Sequence, residues 1–437
     1  MKRYDSYKDS GVEWIGEVPN HWNCARLKFY SEPLKSGGTP KSDNDKFYSE
    51  DGTPWVAISD MSSTNYILDT EKHLTQEGID DKRLIVYPIG TILYSIYATL
   101  GKVSELGVPA CINQAILAIV PKSNYNREYF KYCLQAQEQY VFSLSNGNTQ
   151  NNLNAGKVAN FMLTLPPLSE QQTIASYLDK RCEEIDKAIA KQQKRIELLQ
   201  ELRQNIITNA VTRGINPDAP LKDSGVEWIG KVPEHWEIKH LKYICKINGR
   251  VGYRGYTTND LVQEGEGAYT IGGKHIASCK LDLSDADFIS WEKYYESPEI
   301  MVRKGDIVIA QRGSLGKAAL IEEEIGEATI NPSLVLLNRI LVNAKFLHYY
   351  LISNATLTNI LLLNTATAVP MISQNQISNM KIPIPPLSEQ QQIVNNIECK
   401  TVRLDKSVIS AEHRIDLLQE LKQSIITEVV TGKRKVC

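Results

Sequence analysis

Residues 166–212 read PPLSEQQTIASYLDKRCEEIDKAIAKQQKRIELLQELRQNIITNAVT, and residues 385–431 repeat the pattern 219 positions further on, opening with the same PPLSEQQ. The apolar ladder Ile174, Leu178, Ile185, Ile189, Ile196, Leu199, Leu202 and Ile206 is answered by Ile393, Ile397, Leu404, Val408, Ile415, Leu418, Leu421 and Ile425. Steps of three, four and seven, with Lys, Arg, Glu and Gln between, predict a long helix whose narrow stripe suits one partner helix. Paired prolines close off the preceding segment. Ser169 and Ser388 read as N-caps, Gln172 and Gln391 as the partners that complete capping boxes. Glu170 and Glu389 then fall in the first turn, where negative charge suits the helix dipole. Gly214 and Gly432 sit where such helices end. About 40 residues at ~1.5 Å each make a rod of roughly 60 Å, so the helices read as spacers.

The repeat extends to the whole half-chain. Residues 8–22, KDSGVEWIGEVPNHW, return as 222–236, KDSGVEWIGKVPEHW, differing at Glu17/Lys231 and Asn20/Glu234. The tryptophans (Trp14, Trp22; Trp228, Trp236) with Pro19 and Pro233 look like an anchor docking each motif onto the region behind it, which makes His21 and His235 packed structural residues. Strand-like runs at 54–58, 91–97 and 115–120 precede a helix-like stretch at 127–144; runs at 268–271, 306–310 and 334–337 precede one at 345–363. The pattern predicts an α+β class with two α/β-type regions and two long helices. The boundaries fall at 1–165, 166–214, 215–384 and 385–437. Within the globular regions GTILYSIYATLGK (90–102) aligns with GDIVIAQRGSLGK (305–317), and Asn113 with Asn331. A kept frame with changed letters suggests two sites of one kind that read different things.

A chain of 437 residues, 42% hydrophobic and 23% charged, predicts two or three globular domains. No apolar run reaches transmembrane length and the N-terminus has no apolar targeting core, which points to the cytoplasm and away from a membrane. Eight cysteines form no CxxC pair, which argues against a disulfide framework or a metal site. The net charge of −2 confines any nucleic-acid surface to a local patch or one shared with a partner.

Residue types that bind phosphates and bases occur in four places. Lys35, Gly37, Gly38, Thr39 and Lys41 form a Lys-Ser-Gly-Gly-Thr-Pro-Lys segment whose glycines allow close backbone approach. In the run NGNTQNNLN, Asn148, Thr149 and Gln150 supply groups of the kind that pair with adenine. Residues 239–256 are basic and tyrosine-rich without an acid, with Arg250, Tyr253, Arg254 and Tyr256 at their end. The Gly-Lys turns add Tyr94, Tyr97, Thr99 and Lys102 in the first region and Gln311, Arg312, Ser314 and Lys317 in the second. Catalytic motifs are absent: there is no Walker A loop, HExxH or GxSxG. Residues 331–334, Asn-Pro-Ser-Leu, resemble the Asn-Pro-Pro-aromatic motif of amino methyltransferases but lack the second proline and the stacking ring. A turn leading into a strand accounts for them.

Together, the KDSGVEWIGEVPxHW opening, the PPLSEQQ helix start, the LLQELRQNIITxxVT helix end and their duplication resemble the specificity subunit of type I restriction-modification systems. The resemblance implies two target recognition domains, each reading half of a bipartite site in double-stranded DNA. It also implies that the helices pack as an antiparallel coiled coil with a pseudo-twofold internal repeat and set the unread gap. Two methyltransferase subunits would dock on the chain and restriction/translocase subunits would join them. The chain itself would be noncatalytic, with no cofactor, S-adenosylmethionine being held by the partner. A stand-alone DNA methyltransferase and a bilobed interaction scaffold without DNA are the alternatives.

Overall fold

The computed structural model describes residues 3–62, 66–97, 99–122, 125–138, 140–141, 153–250, 252, 255–277, 279–364 and 370–436. The chain divides into two compact units, residues 1–192 with 413–437 and residues 193–412. Each unit therefore takes its first part from one half of the chain and part of a long helix from the other.

Unit 1 opens on the hairpin β1 (Tyr7–Asp9) and β2 (Glu17–Pro19), and β3 (Asn23–Arg26) follows. Then come β4 (Lys35–Ser36), β5 (Tyr48–Val56), α1 (Ile58–Ser62), β6 (Tyr66–Ile67), β7 (His73–Leu74), α2 (Gln76–Asp81), β8 (Ile92–Ser95), β9 (Val103–Leu106), β10 (Cys111–Ile112) and β11 (Ile116–Ile119). Helices α3 (Arg127–Gln135) and α4 (Ala155–Ala159) lead to β12 (Met162–Leu165) and the long helix α5 (Leu168–Arg213). The main sheet runs β4-β11-β8-β9-β6, a second β10-β5-β7, and β12 returns antiparallel to β3.

Unit 2 repeats this plan. Its hairpin is β13 (Leu221–Asp223) and β14 (Lys231–Pro233), followed by β15 (Glu237–His240), β16 (Lys246–Gly249), β17 (Leu261–Val262), β18 (Gly267–Ile271), β19 (Ile276–Ala277), β20 (Lys280–Leu281) and β21 (Asp287–Ser290). After α6 (Trp291–Tyr295) come β22 (Ile307–Ala310), β23 (Ala318–Leu320), β24 (Ala328–Ile330) and β25 (Leu334–Asn338). Helices α7 (Ala344–Leu351), α8 (Asn354–Leu363) and α9 (Gln374–Ser378), then β26 (Lys381–Ile384), precede the second long helix, α10 (Leu387–Val430). The order β16-β25-β22-β23 matches β4-β11-β8-β9, and the parallel pair β18/β24 matches β5/β10. Strands β8, β11 and β22 are buried along their whole length, β11 and β22 as runs of Ile, Leu, Val and Ala and β8 with Tyr94 and Ser95 after its Ile-Leu pair.

The long helices pack antiparallel. In unit 1 the start of α5 (Ile174, Leu178, Ile185) shares a core with the end of α10 (Ile425, Ile426, Val429, Val430). In unit 2 the end of α5 (Ile207, Ala210, Val211) shares one with the start of α10 (Ile393, Val394, Ile397). Two ion pairs repeat the relation: Lys422 Nζ lies 2.7 Å from Asp186, and Arg203 Nε 3.1 Å from Asp405. Asp186 and Arg203 stand 219 residues before Asp405 and Lys422, so each pair is the other's counterpart.

The ladder departs from expectation at one rung. Leu202 and Leu421 are 48% and 46% exposed, while Ile207 and Ile426 are buried. An α-helix turns 3.6 residues at a time, so a strict heptad drifts off the contact face, and where globular layers replace the partner helix the buried stripe is taken up by the next residue. The middle rungs Ile189, Ile196, Leu199, Leu404, Val408, Ile415 and Leu418 are half-buried, as covering from one side requires.

The helix starts also need correction. α5 and α10 begin at Leu168 and Leu387, one residue before the expected caps, because the Pro167 carbonyl already accepts the N–H groups of Glu170 and Gln171. Ser169 and Ser388 therefore lie inside the first turn. The Gln391 amide goes to Asn343 and Asn395 instead of closing a capping box. The neighbouring glutamines are the joints: Gln171 and Gln390 each donate to the proline carbonyl five residues back and accept the backbone N–H of Asn126 or Asn343.

The first-turn glutamates anchor the repeated motifs. Glu170 accepts from Trp22 Nε1 (3.1 Å) and Tyr4 Oη (2.5 Å) and lies 2.9 Å from His21 Nε2. Glu389 accepts from Trp236 Nε1 (3.1 Å) and lies 2.7 Å from His235 Nε2. His21 and His235 thus pair with the anchoring glutamates, but their rings are 50% and 51% exposed, so they are not packed as the motif suggested. Gly432 and Gly214 end the long helices with φ of 74° and 76°, against Trp22 and Trp236 respectively. No Cβ fits there without strain or crowding. The helix expected at 345–363 is two: Ser353 Oγ donates to Tyr350 O and accepts Thr356 N–H, ending α7 and capping α8. Of the helix expected at 127–144, the stretch 142–144 lies outside the described residues.

Candidate nucleic-acid interface

Both units carry the same turn, between β8 and β9 in unit 1 and between β22 and β23 in unit 2. In unit 1, Ser95 N–H donates to Lys102 O and Lys102 N–H to Thr99 O, at 3.0 and 3.3 Å. In unit 2, Ala310 N–H donates to Lys317 O and Lys317 N–H to Ser314 O, at 2.9 and 3.3 Å. Gly101 and Gly316 both hold left-handed φ, 83° and 84°, which the sharp reversal demands. Beside each turn lies a second corner built alike: Asn113 N–H donates to Val56 O, Asn331 N–H to Ile271 O, and each asparagine side chain accepts the N–H two residues on.

In unit 1 two candidate segments, 35–41 and the Gly-Lys turn, meet the Asn113 corner at this end of the sheet. Gly37 and Gly38 N–H donate to Asn113 O and Ile112 O, Thr39 Oγ1 donates to Gln114 Oε1, and Ile96 N–H donates to Ala115 O. Lys35, Thr39, Lys41, Tyr97 and Thr99 are exposed there and Lys102 is half-buried. The glycines have a different reason from the one expected: a Cβ at Gly37 would collide with the Ile112 carbonyl, so the close approach is to this chain's own β10. In unit 2, Arg312, Ser314 and Lys317 are exposed. Gln311 is tied back, its Nε2 donating to Pro332 O and Leu334 O. Arg312 pairs in a β-bridge with Met371, and its Nη2 approaches the Met371 sulfur at 3.4 Å. Among the described residues no carboxylate pairs with its guanidinium.

Two candidates prove to be core. Tyr94 is 0% exposed on β8, with its ring edge-on to Phe161. Arg250 is 6% exposed; its Nε donates to Ile330 O and its Nη2 to Thr329 Oγ1, with the guanidinium 5.3 Å from the Tyr256 ring centre. A fork spent on backbone and hydroxyl cannot also read a base edge, so Arg250 holds the segment leading to the half-buried Tyr256. Lys239 and Lys242 are engaged by Glu237 and Asn379. Asn148, Thr149, Gln150, Tyr253 and Arg254 lie outside the described residues.

Other residues at these edges escaped the sequence reading. Gln114 and Met371 touch candidates directly, and for Met371 the signal was available: residues 364–373 align at 219 positions with the amide-rich 145–154. Lys82 and Arg83 join Lys35 around an open cavity of about 440 Å³ in unit 1.

Chemistry finds little foothold. Asn331 Oδ1 accepts from both Ser333 N and Ser333 Oγ, so the methyltransferase-like tetrapeptide is an Asx turn entering β25. Burial pushes the Cys111 and Cys133 thiols up to about 11 and Cys245 to about 12, which keeps them protonated. Among the described residues no group of His, Cys, Asp and Glu is placed to hold a metal ion, and no helix is long and apolar enough to cross a membrane.

Comparison with known proteins agrees with the geometry. The family model described as type I restriction modification DNA specificity domain matches residues 26–199 and again 233–399. The chain is 23% identical to the type I restriction enzyme MjaIX specificity subunit of Methanocaldococcus jannaschii, over 97% of this chain and 95% of that one. To the EcoBI specificity subunit of Escherichia coli it is 25% identical, over 74% and 69%. A solved structure described as showing complex assembly and conformational transition of the type I restriction-modification system shares the fold, with a TM-score of 0.64, 18% identity, and 94% of this chain and 98% of that one covered. With the family's domain present twice on a duplicated frame, the chain belongs to the type I restriction-modification specificity family, the noncatalytic DNA-specificity members of a type I complex.

Proposed function

We propose that each unit reads one half of a bipartite, asymmetric DNA site. Residues 1–165 and 215–384 are the two target recognition domains, and residues 166–214 and 385–437 the spacers that fix the gap between half-sites. Two methyltransferase subunits, which carry S-adenosylmethionine, dock on the helices and repeated motifs, and restriction subunits complete the assembly. One observation carries this reading: the units keep the same turn, corner and anchor hydrogen bonds, yet the exposed letters on that frame differ. A shared frame with private letters suits two readers of unlike sequences. Phosphate contacts shared with partner subunits also account for a net charge of −2.

The test is to exchange residues 23–165 for the same region of a relative and to map methylated adenines in cells that hold the partner methyltransferase. One half of the recognised motif changes while the other half and the gap persist. If both halves changed, or neither, the assignment of one half-site to one domain would fail.

A further inference from the structure

Resting on that reading, we propose that Tyr97 and Arg312, which occupy one position on the duplicated turn, each select a base in the half-site of their own unit: Arg312 a guanine, Tyr97 a thymine.

The turns align letter by letter from 95–102 to 310–317. Leu100/Leu315 and Gly101/Gly316 are identical, Thr99/Ser314 keep a hydroxyl, and Lys102/Lys317 keep a cation. Groups that both units share cannot distinguish two sequences; a hydroxyl and an ammonium are the chemistry of phosphate contacts. Position 96/311 differs but is committed, since Ile96 is 5% exposed and the Gln311 amide is spent on backbone carbonyls. Position 97/312 differs and faces solvent, Tyr97 being 42% exposed.

The two side chains meet different base edges. Arg312 stands on a β-bridge and its backbone N–H donates to Ser333 O, while its guanidinium has one described partner, a thioether sulfur, which accepts weakly. Its fork matches the O6 and N7 acceptors of guanine in the major groove. Tyr97 presents an aromatic edge with a single hydroxyl, which suits the thymine methyl group and its neighbouring O4 acceptor. The nearby cations then hold the backbone.

The experiment uses the full chain with its partner methyltransferase and DNA libraries that vary every position of the recognised site. Arg312→Gln lowers discrimination at one guanine roughly 5- to 150-fold and leaves the other half-site unchanged. Tyr97→Ala relaxes one thymine in the opposite half. Lys317→Ala weakens binding evenly across sequences and reduces the salt slope by about one. Equal losses at every position from Arg312→Gln, in a complex whose unfolding midpoint is unchanged, would make Arg312 a phosphate contact and overturn the proposal. Unchanged specificity in either variant overturns it for that residue. Should the unsubstituted complex show no bipartite preference, the half-site reading itself fails, an outcome separate from these.

Discussion

One slot beneath the main sheet is filled with charge in unit 1 and left neutral in unit 2. On α3, Lys131 is 4% exposed and its Nζ lies 3.0 Å from Glu105, 2.5 Å from Glu128 and 3.0 Å from the Tyr66 hydroxyl. Counting from the helix caps Asn126 and Asn343, the same place on α7 belongs to His348, and Leu320 stands where β9 has Glu105. His348 Nε2 donates to the Ala318 carbonyl at 3.2 Å, and among the described residues it forms no ion pair. The two solutions show that the fold requires only a filled, hydrogen-bonded position there. What differs is the penalty for disturbing it. A buried pair that loses one member leaves a stranded charge, whereas a neutral ring leaves at most one unpaired group.

The largest expected effect follows. Lys131→Met leaves Glu105, which is 3% exposed, with only the half-exposed Arg127 guanidinium at 3.3 Å, and costs unit 1 up to about 3–5 kcal/mol, read from denaturant unfolding of the full chain. Combining it with Glu105→Leu, which installs the unit 2 residue, returns most of that loss. A double variant as unstable as the single would mean that packing, and not charge, distinguishes the slots.

The helix starts give a second comparison. Glu170 has three donors around it and Glu389 two, because Asp218 stands where unit 1 has Tyr4. Replacing either by Ala leaves a buried indole N–H without an acceptor, a loss of about 1–3 kcal/mol. Glu170→Ala is expected to be the costlier by thermal unfolding, and Gln at either place, which keeps an acceptor, milder than Ala. Equal costs would show that Tyr4 contributes nothing.

These contrasts explain what the sequence could announce. The long helices were legible because a stripe repeated over about nine turns, and twice in one chain, leaves no other period. Their caps were misplaced by two residues because Ser169 has the chemistry of a cap, while the Pro167 carbonyl had already begun the hydrogen-bond ladder. The Gly-Lys turns were legible as a duplicated frame, and their exposed letters emerged as the candidates the structure leaves accessible. Arg250 was misread for a general reason: a basic run has the same letters whether its cations face solvent or, like this one, thread into a β-sheet edge. Lys131 went unremarked for the converse reason. A lysine amid helical letters reads as surface, and its burial depends on Glu105 from a distant strand. Gly37 announced a close approach but not the partner, which is the backbone of β10.

Acid should separate the units further. Burial holds the His348 pKa below its usual value, so below about pH 6.5 the unfolded chain binds this proton more readily than the fold does. Its contribution to unit 2 is complete above about pH 6.5, the value of an unfolded histidine, and is lost as pH falls through the lowered folded value. In unit 1 burial opposes the Glu128 charge, but Lys131 and Arg127 outweigh it and hold the carboxyl below its usual range. That contribution is complete above about pH 4.3 and begins to fail only in stronger acid. Lys131 is displaced upward, burial being outweighed by its Glu128 and Tyr66 hydrogen bonds, and its share fails only at alkaline pH. Between about pH 6.5 and 4.5, then, this slot weakens in unit 2 alone. Both units carry a His–Glu pair at their helix starts, so the comparison that isolates the slot is with His348→Gln, which cannot titrate. With the intrinsic pH dependence of amide exchange divided out, exchange as pH falls across that window is expected to quicken in peptides of α7 and β23, to change less in α3 and β9, and to hold steady in α7 when residue 348 is glutamine. Exchange that quickened equally in both helices would place the sensitive group elsewhere and erase the distinction between a charged and a neutral filling.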